Sequence, residues 1–143
     1  MDGDGFDLRD FTPYLLVMAA EATSAAFQPV YRARYGMLRT EWRVLFHLGR
    51  YGAMTARDVC VRARLHKTKV SRAVAALEAK RFLSRAASEA DRRAEVLSLT
   101  PAGARAYRDL SAEARAFDAR LMEGLSPEEG RMLRACLHRL AGL

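Results

Sequence analysis

The 143-residue chain predicts a mainly α-helical fold with one small β-hairpin, and three observations carry that prediction. Apolar residues recur at three- and four-residue spacings through most of the chain, as amphipathic helices require. Thr or Ser stands at five candidate helix starts, positions 12, 40, 55, 100 and 126, where a side-chain oxygen can accept from an exposed N–H. After Phe82-Leu83 the helical spacing gives way to two short extended runs, Leu83–Ala86 and Ala94–Leu99, around the charged tip Glu89-Ala90-Asp91-Arg92-Arg93.

Residues 1–10 read as a frayed start. Thr12-Pro13 is expected to open a long first helix, with Thr as cap and Pro in the first turn. Phe11, Tyr14, Met18, Ala22, Ala25 and Pro29 follow a rough heptad along it, and Gly36 closes it. Pro29 should kink this helix or end its regular part, because it removes one backbone bond. Thr40 is expected to cap a second helix on which Trp42, Leu45, Phe46 and Gly49 share a face, with Gly52 at its end. Thr55 and Asp58 form a capping box that opens a short third helix through about Arg62.

The fourth helix is the most informative. Val70, Val74 and Leu77 recur at i, i+4 and i+7 with Ala73 beside them, so this side turns inward. Thr68, Arg72, Ala75 and Ala79 point the other way, flanked by Lys69 and Ser71, with no acid before Glu78. Beyond the hairpin, Thr100-Pro101 opens a long helix carrying Tyr107, Leu110, Ala114, Phe117 and Leu121. Ser126-Pro127 with Glu129 is a full capping box for a last helix striped by Met132, Leu133, Cys136, Leu137 and Leu140. The helices at the two ends carry more apolar seam than a small central lobe can cover, which points to a helical dimer interface.

Charge sharpens the reading. Half of the residues are hydrophobic, 29% are charged, and the net charge is +7. Residues 1–54 carry six cations and six anions, and residues 94–143 carry seven of each. Residues 55–93 hold eleven Lys and Arg against Asp58, Glu78, Glu89 and Asp91, so the whole excess lies there. Two short helices joined by a tight turn, then a hairpin with a cationic tip, describe a winged helix-turn-helix. Cations concentrated on its exposed helix and its wing point to nucleic acid.

These residues resemble the MarR family of bacterial winged-helix transcriptional regulators. The resemblance rests on Glu41-Trp42-Arg43-Val44-Leu45, on the run from Lys67 to Ala73, and on Asp91-Arg92-Arg93 leading to Leu97–Thr100. It spans about residues 10–143, a single MarR-type domain over 1–143. Residues 11–36 and 101–143 are its helical dimerisation region, and 38–100 its DNA-binding lobe. The family resemblance implies a homodimer on a pseudo-palindromic DNA operator. It further implies a small molecule, bound between the dimer region and the DNA lobe, that weakens binding. Lys67, Thr68, Lys69, Ser71 and Arg72 fall where the family's recognition helix meets DNA, and Asp91, Arg92 and Arg93 on its wing. There Asp91 is expected to brace Arg93, which enters the minor groove, or else to help form the turn. Many relatives place an acid where this chain has His66.

Other functions find less support. His47, His66 and His138 are scattered, and neither a metal-binding spacing nor a phosphate-binding glycine loop is present, so an enzyme is not expected. No apolar run approaches the ~18–20 residues of a membrane span. The opening MDGDGFDLRD is acidic where a signal peptide would be basic, so a cytoplasmic protein without a cofactor is expected. Cys60 and Cys136 suit ordinary buried thiols, with oxidant sensing at Cys60 as an alternative. Tyr14, Trp42, Arg43, His47 and Tyr51 are candidates to line an effector pocket suited to a small aromatic acid, although Trp42 also sits on the apolar face. The reading is a ligand-responsive homodimeric repressor. Its rival is an architectural protein that binds DNA by charge alone.

Overall fold

A computed structural model describes residues 5–143. A 3₁₀ turn at Leu8–Asp10 precedes α1 (Thr12–Tyr35), α2 (Arg39–Tyr51), β1 (Met54–Thr55), α3 (Ala56–Ala63) and α4 (Lys67–Ala79). Strands β2 (Leu83–Ala87) and β3 (Glu95–Leu99) follow, then α5 (Pro101–Met122) and α6 (Pro127–Ala141). The mainly helical architecture with a β-hairpin is the one expected. The chain forms two compact units, one up to Arg108 and one over Asp109–Leu143.

In the first unit the apolar positions close a core among α2, α3, α4 and the sheet. Val44, Leu45, Val59, Val70 and Leu77 are all fully buried there. The sheet has the order β1-β3-β2 and is antiparallel, with Met54 opposite Leu97 and Leu83 opposite Leu99. Strand β1 was not anticipated. Two residues give no alternation to read, and their pairing becomes visible only when β3 lies beside them.

Two helix starts differ in detail from expectation. Phe11 rather than Thr12 occupies the N-cap of α1 and makes no side-chain cap bond, while Thr12 is already helical. Thr40 likewise lies inside α2, which begins one residue earlier. Its capping role passes to Glu41, whose Oε2 accepts from the Leu38 N–H at 3.2 Å. Pro29 does not end α1, which continues to Tyr35 before Gly36 turns left-handed at φ 62° and donates to Arg32 O. Residues 1–4 of the expected frayed start lie outside the described residues. The rest of that start is ordered, with Asp7 capping the turn through Arg9.

The capping boxes form as expected. The Thr55 N–H donates to Asp58 Oδ2 and the Asp58 N–H to Thr55 Oγ1, both at 3.2 Å. At the start of α6 the Ser126 N–H donates to Glu129 Oε1 at 2.9 Å, and the Glu129 N–H to Ser126 Oγ at 3.1 Å. These bonds hold the exposed Glu129 carboxyl below the usual carboxylate range. Thr100 also serves as foreseen, its Oγ1 accepting from the Gly103 N–H at 3.0 Å.

Cys60 and Cys136 are half-buried free thiols rather than fully buried ones. Cys136 belongs to an α6 stripe that is itself exposed: Met132 is 62% and Leu140 64% accessible.

Glu41 is the buried charged residue of this core, 6% exposed, and Lys80 Nζ lies 3.3 Å from its Oε2. The carboxylate therefore serves the start of α2 and the end of α4 together. Glu41→Ala is expected to lower stability by about 2 kcal/mol, because it orphans the Leu38 N–H and leaves a half-buried ammonium unpaired. Urea unfolding should show a lower midpoint at unchanged slope.

Candidate nucleic-acid interface

Helix α4 follows from its own periodicity. Val70, Ala73, Val74 and Leu77 are buried, and the opposite side exposes Lys67, Thr68, Lys69, Ser71, Arg72, Ala75 and Ala79. His66 occupies the N-cap, where its Nδ1 accepts from the Thr68 N–H at 3.2 Å. An accepting Nδ1 places the ring proton on Nε2. The imidazole thus fills the place of a capping carboxylate without adding negative charge at the start of an exposed cationic helix.

The wing tip is organised by Asp91. Its Oδ1 accepts from the Arg93 N–H at 2.9 Å, its N–H donates to Ser88 Oγ at 3.3 Å, and its carbonyl accepts from Ala94 at 3.0 Å. Ser88 N–H donates to Ala94 O at 2.9 Å and closes the loop. The expected brace between Asp91 and Arg93 therefore runs to the main chain of Arg93, not to its guanidinium. A short Asx side chain reaches a backbone N–H two residues on more readily than a side chain that extends away. Arg92 and Arg93 are left exposed.

A cleft of about 700 Å³ lies between these parts. Ser71 reaches it from α4, Arg57 from the first turn of α3, and Asp91, Arg92 and Arg93 from the tip. Lys69 and Arg72 instead line a smaller recess of about 200 Å³ with Thr40 and Glu41. The eight residues singled out on α4 and the tip therefore lie on one helix and its wing, but not all in one cleft. Arg57 was missed, though its place in the basic segment was a usable signal. Arg85 was missed too, since nothing local distinguishes it from a solvated strand cation.

The five effector candidates do not form a single wall. Trp42 stacks on Tyr31 at 5.5 Å between centroids, meets Phe27 edge-on at 5.4 Å, and lies 4.8 Å from Phe46. Trp42 is half-buried in this aromatic cluster, and its buried indole Nε1 has no partner among the described residues. Burial pushes the Tyr31 hydroxyl up, and the nearby Arg39 partly offsets this. Arg43 Nη2 donates to Ala63 O at 2.6 Å. Burial, and then the charge of Arg39, lowers its pKa, but an arginine stays charged. His47 Nδ1 lies 2.7 Å from Arg43 O, and the Tyr51 ring is 6.0 Å from His47. Arg62 covers that ring at 4.5 Å. Arg43, His47 and Tyr51 thus form one connected group and Trp42 another, while Tyr14 is half-buried in the first turn of α1.

Among the described residues no group of three or more His, Cys, Asp or Glu side chains is placed to hold a metal ion. No helix there is long and apolar enough to cross a membrane.

Residues 35–94, from the end of α1 through the wing tip, match the model of the MarR family. Over that segment the chain is similar to the MarR family of transcriptional regulators. YwaE of Bacillus subtilis (strain 168), an uncharacterized HTH-type transcriptional regulator, is 25% identical over 107 residues. The match covers 75% of this chain and 63% of YwaE, so the chain spans under two-thirds of that relative's length. Solved MarR-type structures share the fold. Bordetella bronchiseptica BpsR, whose DNA binding is regulated by 6-hydroxynicotinic acid, superposes with a TM-score of 0.87 at 22% identity, covering 96% of this chain and 98% of its own. PcaV of Streptomyces coelicolor, in complex with its natural ligand, gives 0.80 at 20% identity, covering 99% and 98%. A MarR/EmrR family regulator from Acinetobacter sp. ADP1 gives 0.84 at 23% identity, covering 96% of each.

Proposed function

We propose that this protein is a MarR-family homodimeric repressor that reads a pseudo-palindromic operator and is released by a small aromatic acid. The observation that carries the reading is the exposed polar and cationic side of α4 beside a cationic wing tip. The +7 excess of the whole chain falls on residues 55–93, the segment that builds both. Ser71, Thr68 and Arg72 present the donors that read base edges or phosphates. Arg92 and Arg93 stand at the tip, where a wing meets the sugar–phosphate backbone or a narrow minor groove.

The exposed apolar side chains of α1 and α6 support self-association. Leu15, Val17 and Met18 on α1 and Met132, Leu133, Leu137 and Leu140 on α6 are each at least 40% accessible, more exposed apolar surface than a monomer ordinarily leaves. In this reading α1 and the C-terminal helices form the dimerisation region and residues 38–100 the DNA-binding lobe. The half-buried guanidinium of Arg43, in the group it forms with His47 and Tyr51, is a donor that a carboxylate ligand would engage. The regulated DNA binding of BpsR and the ligand complex of PcaV are the comparisons that favour a small effector.

Fluorescence anisotropy on DNA from upstream of the protein's own gene, beside a scrambled duplex, tests the reading across a salt series. At least a ~10³-fold preference for the native fragment with a steep salt slope is expected. An equally steep slope without preference would identify an architectural binder.

A further inference from the structure

Arg85 lies on β2 and lines the same cleft as Ser71 and the wing-tip residues Asp91, Arg92 and Arg93. Its Nε donates to Glu78 Oε2 at 3.0 Å, and its Nη1 donates to Glu95 Oε2 at 3.4 Å. Glu78 belongs to the last turn of α4 and Glu95 is the first residue of β3. One guanidinium therefore ties the recognition helix to both strands of the wing. The chain between α4 and β2 is only Lys80–Phe82, turned by a left-handed Arg81 at φ 62°. That root holds the base of the hairpin, but a five-residue strand projects about 16 Å from it. At the end of such an arm a 10° tilt moves the tip by about 3 Å, the whole length of a hydrogen bond.

We propose that Arg85 is a positioning residue. Through Glu78 and Glu95 it sets the angle of the wing to α4, and so the spacing between Arg92-Arg93 and the side chains of α4. The inference rests on the DNA-binding reading above. It explains two acids on a surface otherwise suited to a polyanion: their role is to hold a cation in place, not to face phosphate.

The sign of one substitution separates this from the alternatives. Glu78→Gln removes a negative charge beside the DNA-facing side, and an acid acting only through its field would leave DNA affinity higher when removed. Positioning requires the opposite. Arg85→Lys keeps the charge but loses the planar fork that reaches two carboxylates. If Arg85 were a plain phosphate contact, lysine would serve nearly as well.

The experiment is fluorescence anisotropy of the 143-residue chain and both variants. The probes are a duplex of about 30 base pairs from upstream of its own gene, long enough for two half-sites, and a scrambled duplex. Both variants are expected to bind the native duplex about three- to fivefold more weakly, with scrambled binding and the thermal midpoint unchanged. Glu78→Gln binding the native duplex as tightly as wild type or tighter overturns the proposal. So does Arg85→Lys binding like wild type, or weakening equally on both duplexes. Wild-type protein that binds neither duplex removes the DNA-binding reading itself, and this inference with it.

Discussion

Replacing Arg72 by Ala is expected to weaken binding to the native operator by about 1–3 kcal/mol and to relax sequence preference at one position. Arg72 stands on the exposed side of α4, directly opposite the packed positions Val70, Val74 and Leu77. Among the described residues its guanidinium has no hydrogen bond or ion pair to the protein, so its donors are free for a guanine edge. A bidentate contact of that kind is lost wholly on truncation, whereas a phosphate contact costs affinity evenly on every duplex. The measurement is therefore a pair of affinities, on the native and the scrambled fragment. A selective loss assigns base reading to Arg72, and an equal loss with a shallower salt slope assigns it to the backbone.

The second large effect is on folding. Gly103 sits in the first turn of α5, and a Cβ built on it falls 1.9 Å from the carbonyl oxygen of Phe82 and 2.8 Å from its carbonyl carbon. Neither partner is free to retreat. Phe82 O accepts from the Thr100 N–H at 3.1 Å, Thr100 Oγ1 donates to Arg81 O at 2.6 Å, and the same oxygen accepts from the Gly103 N–H. Backbone presses on backbone, so relief requires moving α5 away from the base of the wing. Gly103→Ala should cost about 3 kcal/mol, the upper part of the range for overpacking. The ~1 kcal/mol that alanine gains over glycine in a helix is the smaller effect. For a chain of this size the thermal midpoint should fall by about 10 °C. A variant melting with wild type would show that α5 can shift at little cost.

The close approach at Gly103 could not be read from the chain order, because it depends on Phe82 lying across from it. The same holds for Glu41, which sequence periodicity leaves as one more polar residue near a helix start. Its burial and its pairing with Lys80 exist only because α2 packs on α4. Strand β1 and the Arg85 bridge are likewise products of β3 coming back beside earlier residues. Conversely, the capping boxes at Thr55 and Ser126 were legible to the residue, since each bond spans only three positions. The misplaced caps at Thr12 and Thr40 show the limit of that rule: a Thr near a helix start is no cap when a neighbour's carboxylate, or no side chain at all, fills the position.

The candidate site divides in the same way. Thr68 and Arg72, flanked by Lys69 and Ser71, are exposed on α4 as helical geometry alone predicts, whereas Lys67 was a candidate only through the family resemblance. The role of Asp91 was legible only as two alternatives, since a carboxylate two residues from Arg93 can reach either its main chain or its guanidinium. The folded loop holds the main-chain bond.

The sequence by itself determined the helix–hairpin order, the inward side of α4, the capping boxes and the segment that bears the excess charge. All of these arise from interactions a few residues apart or from composition. The tertiary structure alone decided which acids face cations, where a glycine is required, and how the wing is held against the helix. Those contacts join residues up to 39 positions apart, as Glu41 and Lys80 do, and no local spacing encodes them.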